Sequence, residues 1–118
     1  MEPSPLPASR SRMPASQIIA VTTTFSSSVA AEACGRRLVE ARLAACVQVE
    51  GPITSIYRWR DAVETAAEWR CVCKTAAARE HECVAAILAA HDYTTPQITV
   101  TPLAGSAAYV AWVCESVA

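Results

Sequence analysis

ARLAACVQVEGPITSIYRWR, residues 41–60, is the stretch that decides the fold. It begins as the end of a helix and passes at Cys46 into a β-branched and aromatic segment. The fifteen residues from Cys46 to Arg60 would span roughly 50 Å if fully extended, whereas a typical strand has about five or six residues. Gly51-Pro52 predicts a bend or bulge, because proline cannot donate to a sheet ladder. A strand this long should extend past its own domain, so we expect another copy of the chain to cover its Ile, Tyr and Trp side chains.

Strand and helix patterns flank this segment on both sides. Glu68–Thr75, EWRCVCKT, alternates like a return strand, which predicts a long hairpin with a polar tip near Asp61–Thr65. Upstream, Gln17–Thr24 is short and β-branched and predicts the first strand. The serines at Ser26–Ser28 can cap a helix that runs to about Leu43. Strand, helix and hairpin therefore follow one another in the first two thirds of the chain.

The remainder of the chain predicts a second helix, a loop, a strand and a last helix. Thr75 is expected to cap the second helix, and Ile87, Leu88 and His91 are expected to share one of its faces. The predicted bounds are Ala77–Ala90, Asp92–Pro96, Gln97–Pro102 and Ser106–Glu115. The order β-α-β-β-α-β plus a C-terminal helix predicts an α+β fold, a ferredoxin-like sandwich with a four-stranded antiparallel sheet.

Length and composition predict one domain and exclude several classes of partner. With 118 residues the chain forms a single domain, 17–118, preceded by a disordered N-terminal tail, 1–16, that is rich in Pro, Ser and Arg. A formal net charge of −1 predicts no binding to nucleic acid or to an anionic membrane surface. Without a secretory signal, the six cysteines predict reduced thiols in a cytoplasmic protein.

The inventory of reactive side chains argues against an enzyme. Three glycines cannot build a phosphate-binding loop, so no nucleotide cofactor bound in that way is expected. The thiols of Cys71 and Cys73 point the same way from one strand and suit either a soft metal ion or the packed core. We favour the core, because free cysteine is among the most buried residue types.

The motifs that carry a family resemblance are ARLAACVQVEGPITSIYRW at 41–59, CKT at 73–75, HDYTTPQI at 91–98 and YVAW at 109–112. In order and spacing they resemble the CutA divalent-cation-tolerance family over about 18–117. The resemblance implies a ferredoxin-like protomer in a tight homotrimer, with the long hairpin strands shared between subunits. It also implies a role in tolerance to copper and other divalent metal ions, an architecture like that of PII-type signalling trimers, and no organic cofactor.

Two single positions and the tip of the hairpin depart from the family pattern. Gln97 stands where a carboxylate is usual, and Thr23 stands where some members carry cysteine. An amide and a hydroxyl are weaker ligands for a metal ion than the groups they replace. The tip sequence Trp-Arg-Asp-Ala at 59–62 replaces the common Trp-Glu-Gly-Lys.

Two kinds of site are expected, with a third hypothesis of no site. As a metal-binding protein the chain would hold Cu(II) or another divalent cation at subunit clefts through His91, which lies at a helix end where imidazole can be accessible, and Cys46. As a PII-like sensor it would hold a small anionic effector through Lys74, Tyr57 and Tyr93. The third hypothesis is a structural adaptor trimer without metal chemistry.

Overall fold

The sheet and helices described below come from a computed structural model that covers residues 16–118. The predicted tail therefore lies, apart from its last residue, outside the described residues. The strands are β1 (Ile18–Phe25), β2 (Cys46–Trp59), β3 (Ala62–Ala76) and β4 (Ile98–Leu103), and the helices are α1 (Ser28–Glu40), α2 (Glu80–Ala90) and α3 (Ala107–Ser116). A short 3₁₀ turn, Ala77–Arg79, precedes α2.

The strands form one antiparallel sheet in the order β2-β3-β1-β4. The prediction of an α+β fold with four antiparallel strands and three helices is confirmed. One sheet face is buried beneath helices, and the alternation predicted for the return strand holds there, since Cys71, Cys73 and Thr75 are fully buried. Phe25, Leu38 and Ile87 are among the largest apolar side chains packed in this core.

The β2-β3 hairpin is longer than expected and extends past the rest of the sheet. The last residue of β1, Phe25, pairs with Trp69. Beyond that point β2 and β3 continue alone for the seven pairs from Ile53–Glu68 to Trp59–Ala62, roughly 20 Å of two-stranded ribbon. We call this segment, residues 53–68, the hairpin ribbon.

The tip of the hairpin corrects the prediction of a loop near Asp61–Thr65. The turn consists of Arg60 and Asp61, with φ of 50° and 68°, and pairing resumes at Ala62. Two successive residues with positive φ make the turn that best matches strand twist, and such turns usually contain Asn or Gly. Because Arg60 and Asp61 stand in place of the usual Asn-Gly or Asp-Gly pair, the sequence carried only a weak signal for so tight a turn.

The predicted bulge at Gly51-Pro52 is confirmed by a shift of the pairing register between Glu50 and Ile53. A Cβ added at Gly51 would lie 2.5 Å from Cδ1 of Trp69. The indole of Trp69 thus occupies the space that any larger residue at 51 would need.

The predictions for the helices need three corrections, to a bound, a cap and a buried face. Ser27 caps α1 as expected, accepting a hydrogen bond from the Ala30 N–H at 3.1 Å, but the helix ends at Glu40 and not near Leu43. Thr75 does not cap α2, because it remains within β3, where its Oγ1 has no hydrogen-bond partner among the described residues. On α2, Leu88 is 53% exposed rather than part of the buried face.

Across residues 16–118, no helix combines the length and the hydropathy that crossing a membrane would require.

Candidate functional site

His91 follows the last residue of α2 and points into the core. Its side chain is 1% exposed, and its ring stacks on that of Phe25 with centroids 4.2 Å apart and an interplanar angle of 9°. Nε2 lies 3.1 Å from Oγ1 of Thr23. The expectation of an accessible imidazole is wrong, because two side chains of β1 cover the ring.

The loop that follows His91 selects the tautomer of its ring. The Tyr93 N–H donates to Nδ1 of His91 at 3.4 Å, so Nδ1 is an acceptor and the Nε2–H donates to Oγ1 of Thr23. The ring of Tyr93 lies 4.8 Å from that of His91. Three rings, Phe25, His91 and Tyr93, therefore run from the core to the loop.

A cavity of about 950 Å³ opens between this loop and the hairpin ribbon. The rings of Tyr57, Trp59 and Tyr93 contribute to its walls, together with the carboxylates of Glu68 and Asp92. Hydroxyl and amide groups complete the lining at Thr24, Ser26, Ser55, Thr94, Thr95 and Gln97. The cavity is thus aromatic, acidic and rich in hydrogen-bonding groups.

One hydrogen bond ties the two sides of this cavity together. The Tyr93 hydroxyl donates to Oε2 of Glu68 at 2.8 Å. Burial, and then the hydrogen bond to Glu68, raises the pKa of Tyr93 to about 12. At neutral pH the phenol is therefore protonated and acts as a donor.

The structure brings together two of the three predicted effector-binding residues. Tyr57 and Tyr93 line the same cavity, whereas Lys74 does not. Lys74 lies near the far end of β3, where its Nζ donates to the side chain of Gln48 on β2. The anion site expected from these three residues is therefore not assembled within one chain.

The two predicted metal ligands also lie apart. In the sheet, Cys46 lies opposite Lys74 of β3. Thr23, which is hydrogen-bonded to His91, lies opposite Cys71 of the same strand. These two positions are three residues apart along β3, which is about 10 Å. Between residues 16 and 118, no group of three or more His, Cys, Asp or Glu side chains could hold a metal ion. A single chain therefore does not fit a divalent ion at these residues.

The sequence patterns missed Glu68, Asp92 and Phe25 as contributors to this region. Glu68 and Tyr93 meet across 25 positions of sequence, and no local periodicity reports such a contact. The alternation of the second strand did place Tyr57 and Trp59 on one face, which is the signal that could have indicated an aromatic wall.

Four of the six cysteines, Cys34, Cys71, Cys73 and Cys83, are buried, as the core-packing interpretation of the strand pair expects. The thiol of Cys71 donates to the Ala31 carbonyl at 3.4 Å. Burial, reinforced by Cys34, raises the pKa of Cys71 to about 12 and that of Cys83 to about 11. These thiols are therefore protonated and unreactive at neutral pH.

Thiol titration should distinguish the buried cysteines from the partly exposed ones. In the native protein we expect an aromatic disulfide reagent to modify Cys46 and Cys114, the two partly exposed cysteines, and to spare the four buried ones. A pKa raised from 9.0 to about 11 for Cys83 alone lowers its thiolate fraction about a hundredfold. All six should react in denaturant, and rapid native modification of more than two would contradict the buried cluster.

With this geometry in place, comparison with known proteins identifies close likenesses. The sequence model of the family described as CutA1 divalent ion tolerance protein matches residues 19–116. The chain is 36% identical over 97 residues to the divalent-cation tolerance protein CutA of Thermus thermophilus, covering 81% of this chain and 94% of that one. It is 36% identical over 88 residues to the CutA protein of Archaeoglobus fulgidus, covering 74% and 85% of the two chains.

Solved structures agree with the sequence matches. The crystal structure of CutA from Xylella fastidiosa superimposes with a TM-score of 0.85 at 29% identity, covering 87% of this chain and all of that one. The Thermus thermophilus protein gives a TM-score of 0.82 at 34% identity, covering 86% and 99%. The fold and the sequence therefore point to the same family.

Proposed function

The chain belongs to the CutA1 divalent ion tolerance family, and from this premise we propose that it acts as a non-enzymatic homotrimer in tolerance to copper and other divalent ions. The strand order β2-β3-β1-β4 supports a ferredoxin-like protomer. The proposal includes self-association as the partner interaction and a cytoplasmic location, which six free cysteines support.

The exposed apolar side chains of the hairpin ribbon are the observation that supports a trimer. On its surface Ile56 is 69% exposed and Val63 66%, and Tyr57 and Trp59 are each about 45% exposed. An isolated two-stranded ribbon is marginally stable in water, and apolar side chains clustered on a surface mark sites of association. Contact with other copies would bury these side chains and add neighbours to the ribbon.

The metal-binding part of the proposal lies between subunits, because residues 16–118 of one chain do not bring enough ligands together. His91 and Cys46 are its candidate ligands, as the sequence predicts. His91 would have to leave its stack on Phe25 and its hydrogen bond to Thr23 before an ion could reach it. We therefore expect binding of modest affinity that depends on the loop after α2.

Two measurements test this function. Light scattering after gel filtration should give the mass of three chains. Calorimetric titration with Cu(II) should show saturable binding that His91→Ala weakens about tenfold or more, while His81→Ala, at the exposed histidine of α2, leaves it unchanged. Copper binding that survives both His91→Ala and Cys46→Ser would remove these residues from the proposal, and a monomer would remove the shared clefts.

A small-molecule sensor is the second candidate, and the cavity beside Tyr57 and Tyr93 favours it. The absence of Lys74 from the lining argues against the anionic effector expected from sequence. An adaptor trimer is the outcome if neither ion nor small molecule binds.

A further inference from the structure

Helix α3 carries apolar side chains on its exposed side as well as on the side packed against the sheet. Val113 is fully buried, whereas Tyr109 is 37% and Trp112 46% exposed, with ring centroids 5.7 Å apart. Among the residues of this helix only Glu115 is charged. Because a helix that is apolar on all sides is normally buried, the exposed side of α3 is expected to meet another surface. We call Tyr109, Trp112 and Glu115 the α3 patch.

The hairpin ribbon carries a second apolar surface. Ile56 is 69% and Val63 66% exposed. Val63 lies opposite Arg58 in the sheet, and alternation along β2 places Ile56 on the same face as Arg58. We call these three residues the ribbon patch, in which two aliphatic side chains lie beside one guanidinium group.

The charges of the two patches are opposite in sign. Within residues 16–118, neither Arg58 nor Glu115 forms a salt bridge. Arg58 is directly across from Val63, and Glu115 follows Trp112 by three positions, which makes these two residues neighbours on the helix surface. Each patch therefore presents one charge beside an apolar pair, and contact between the patches would bring a carboxylate near a guanidinium group.

The two patches lie near opposite ends of β3. Cys114 of α3 lines a cavity together with Ala76, the last residue of that strand. Val63 is thirteen positions before Ala76, which is roughly 40 Å along the strand, whereas a helix of this length spans only about 15 Å. The patches therefore cannot meet within one chain, and contact between them has to join two copies.

From these features we propose that the ribbon patch of one copy packs against the α3 patch of the next copy, with Arg58 facing Glu115. Since two different surfaces meet, the interface is head-to-tail, the kind that closes into a ring when the rotation between copies allows. The inference rests on the proposed trimer and adds to it which surface the ribbon contacts. It involves neither His91 nor Cys46.

The test is light scattering on two variants, alone and mixed, with circular dichroism as the check of folding. Val63→Glu disrupts the ribbon patch and Trp112→Glu the α3 patch, so each variant alone should have the mass of one chain. An equal mixture should give the mass of two chains, because the intact ribbon of one variant can still meet the intact helix of the other. Leu88→Glu, at an apolar residue of α2 that is 53% exposed, is the matched control and should remain trimeric.

The charge pair provides a second test that leaves the apolar residues in place. Glu115→Arg should weaken association about tenfold, and adding Arg58→Glu should restore it. If the double variant associates more weakly than Glu115→Arg alone, the two charges do not face each other and the proposal is wrong.

The outcomes separate this inference from the trimer on which it rests. A folded Trp112→Glu variant with the mass of three chains would overturn the inference and leave the trimer standing. So would a mixture that keeps the mass of one chain at about 100 μM, above the micromolar dissociation constants of the weaker interfaces of standard size. A wild-type protein with the mass of one chain would overturn the trimer and this inference together.

Discussion

Phe25→Ala is expected to lower the free energy of unfolding by about 3–5 kcal/mol, the range for removing a buried phenylalanine. Phe25 is 2% exposed and is the largest fully buried side chain. Its removal would leave a void at the end of β1 and would take away the ring on which His91 stacks. The loss should therefore combine apolar transfer, cavity formation and hydration of a histidine that is otherwise enclosed.

Urea denaturation monitored by circular dichroism measures this loss as a lower midpoint with an unchanged slope. Protein concentration should be the same throughout, because association makes stability depend on it. Val29→Ala is the matched control, since Val29 is 77% exposed on α1 and should shift stability by less than about 0.5 kcal/mol. Phe25→Leu provides a folded intermediate case with a smaller loss. A loss below about 1 kcal/mol for Phe25→Ala would contradict the packing described for the core.

Shortening the hairpin ribbon is expected to convert the proposed trimer into a folded monomer. Residues 54–67 would be removed and Ile53 joined to Glu68 through an Asn-Gly turn, the dipeptide that two-residue hairpin loops prefer. The rest of the sheet is retained, because β1 pairs with β3 only from Trp69 onwards. The change removes the exposed side chains of Ile56, Trp59 and Val63, which are the surface that association would bury.

The measurement is the molar mass by light scattering, which we expect to fall from three chains to one while circular dichroism still shows a folded chain. A full-length control carries Arg60→Asn and Asp61→Gly, which place residues suited to positive φ at the turn. That control should remain trimeric and gain a few tenths to about 1 kcal/mol of stability. A shortened chain that still elutes with the mass of three chains would show that another surface holds the copies together.

The sequence patterns predict the fold well because its elements have local causes. Period-two alternation specifies which face of β3 is buried, and Ser27 and Ser106 cap their helices through their own hydroxyls. The bulge follows from Gly51-Pro52, where proline lacks a donor. Each of these signals involves residues within a few positions of one another.

The errors arise where distant contacts or backbone strain decide the outcome. Thr75 has a side chain suited to capping, yet pairing with Ile19 retains it in the sheet. His91 lies at a helix end, which usually means exposure, but Phe25, sixty-six positions earlier in the chain, covers it. The turn at Arg60 and Asp61 adopts positive φ without the glycine or asparagine that most often marks such a turn.

The candidate site was only half foreseeable for the same reason. Alternation placed Tyr57 on the aromatic face of its strand, and the motif after α2 drew attention to Tyr93. The carboxylate that joins them, Glu68, is recognisable only once β3 is paired with β2 and the loop is folded over it. Lys74 had the appropriate charge for an effector site but lies outside the cavity.

The chain of ring contacts through Phe25, His91 and Tyr93 gives the cavity two walls of unequal support. The loop wall is anchored in the core, whereas the opposite wall belongs to a ribbon that no third strand of residues 16–118 supports. Substitutions at Tyr57 or Trp59 therefore change the ribbon wall at little expense to the hydrophobic interior. One side of the cavity can thus vary in sequence while the other keeps a constant geometry.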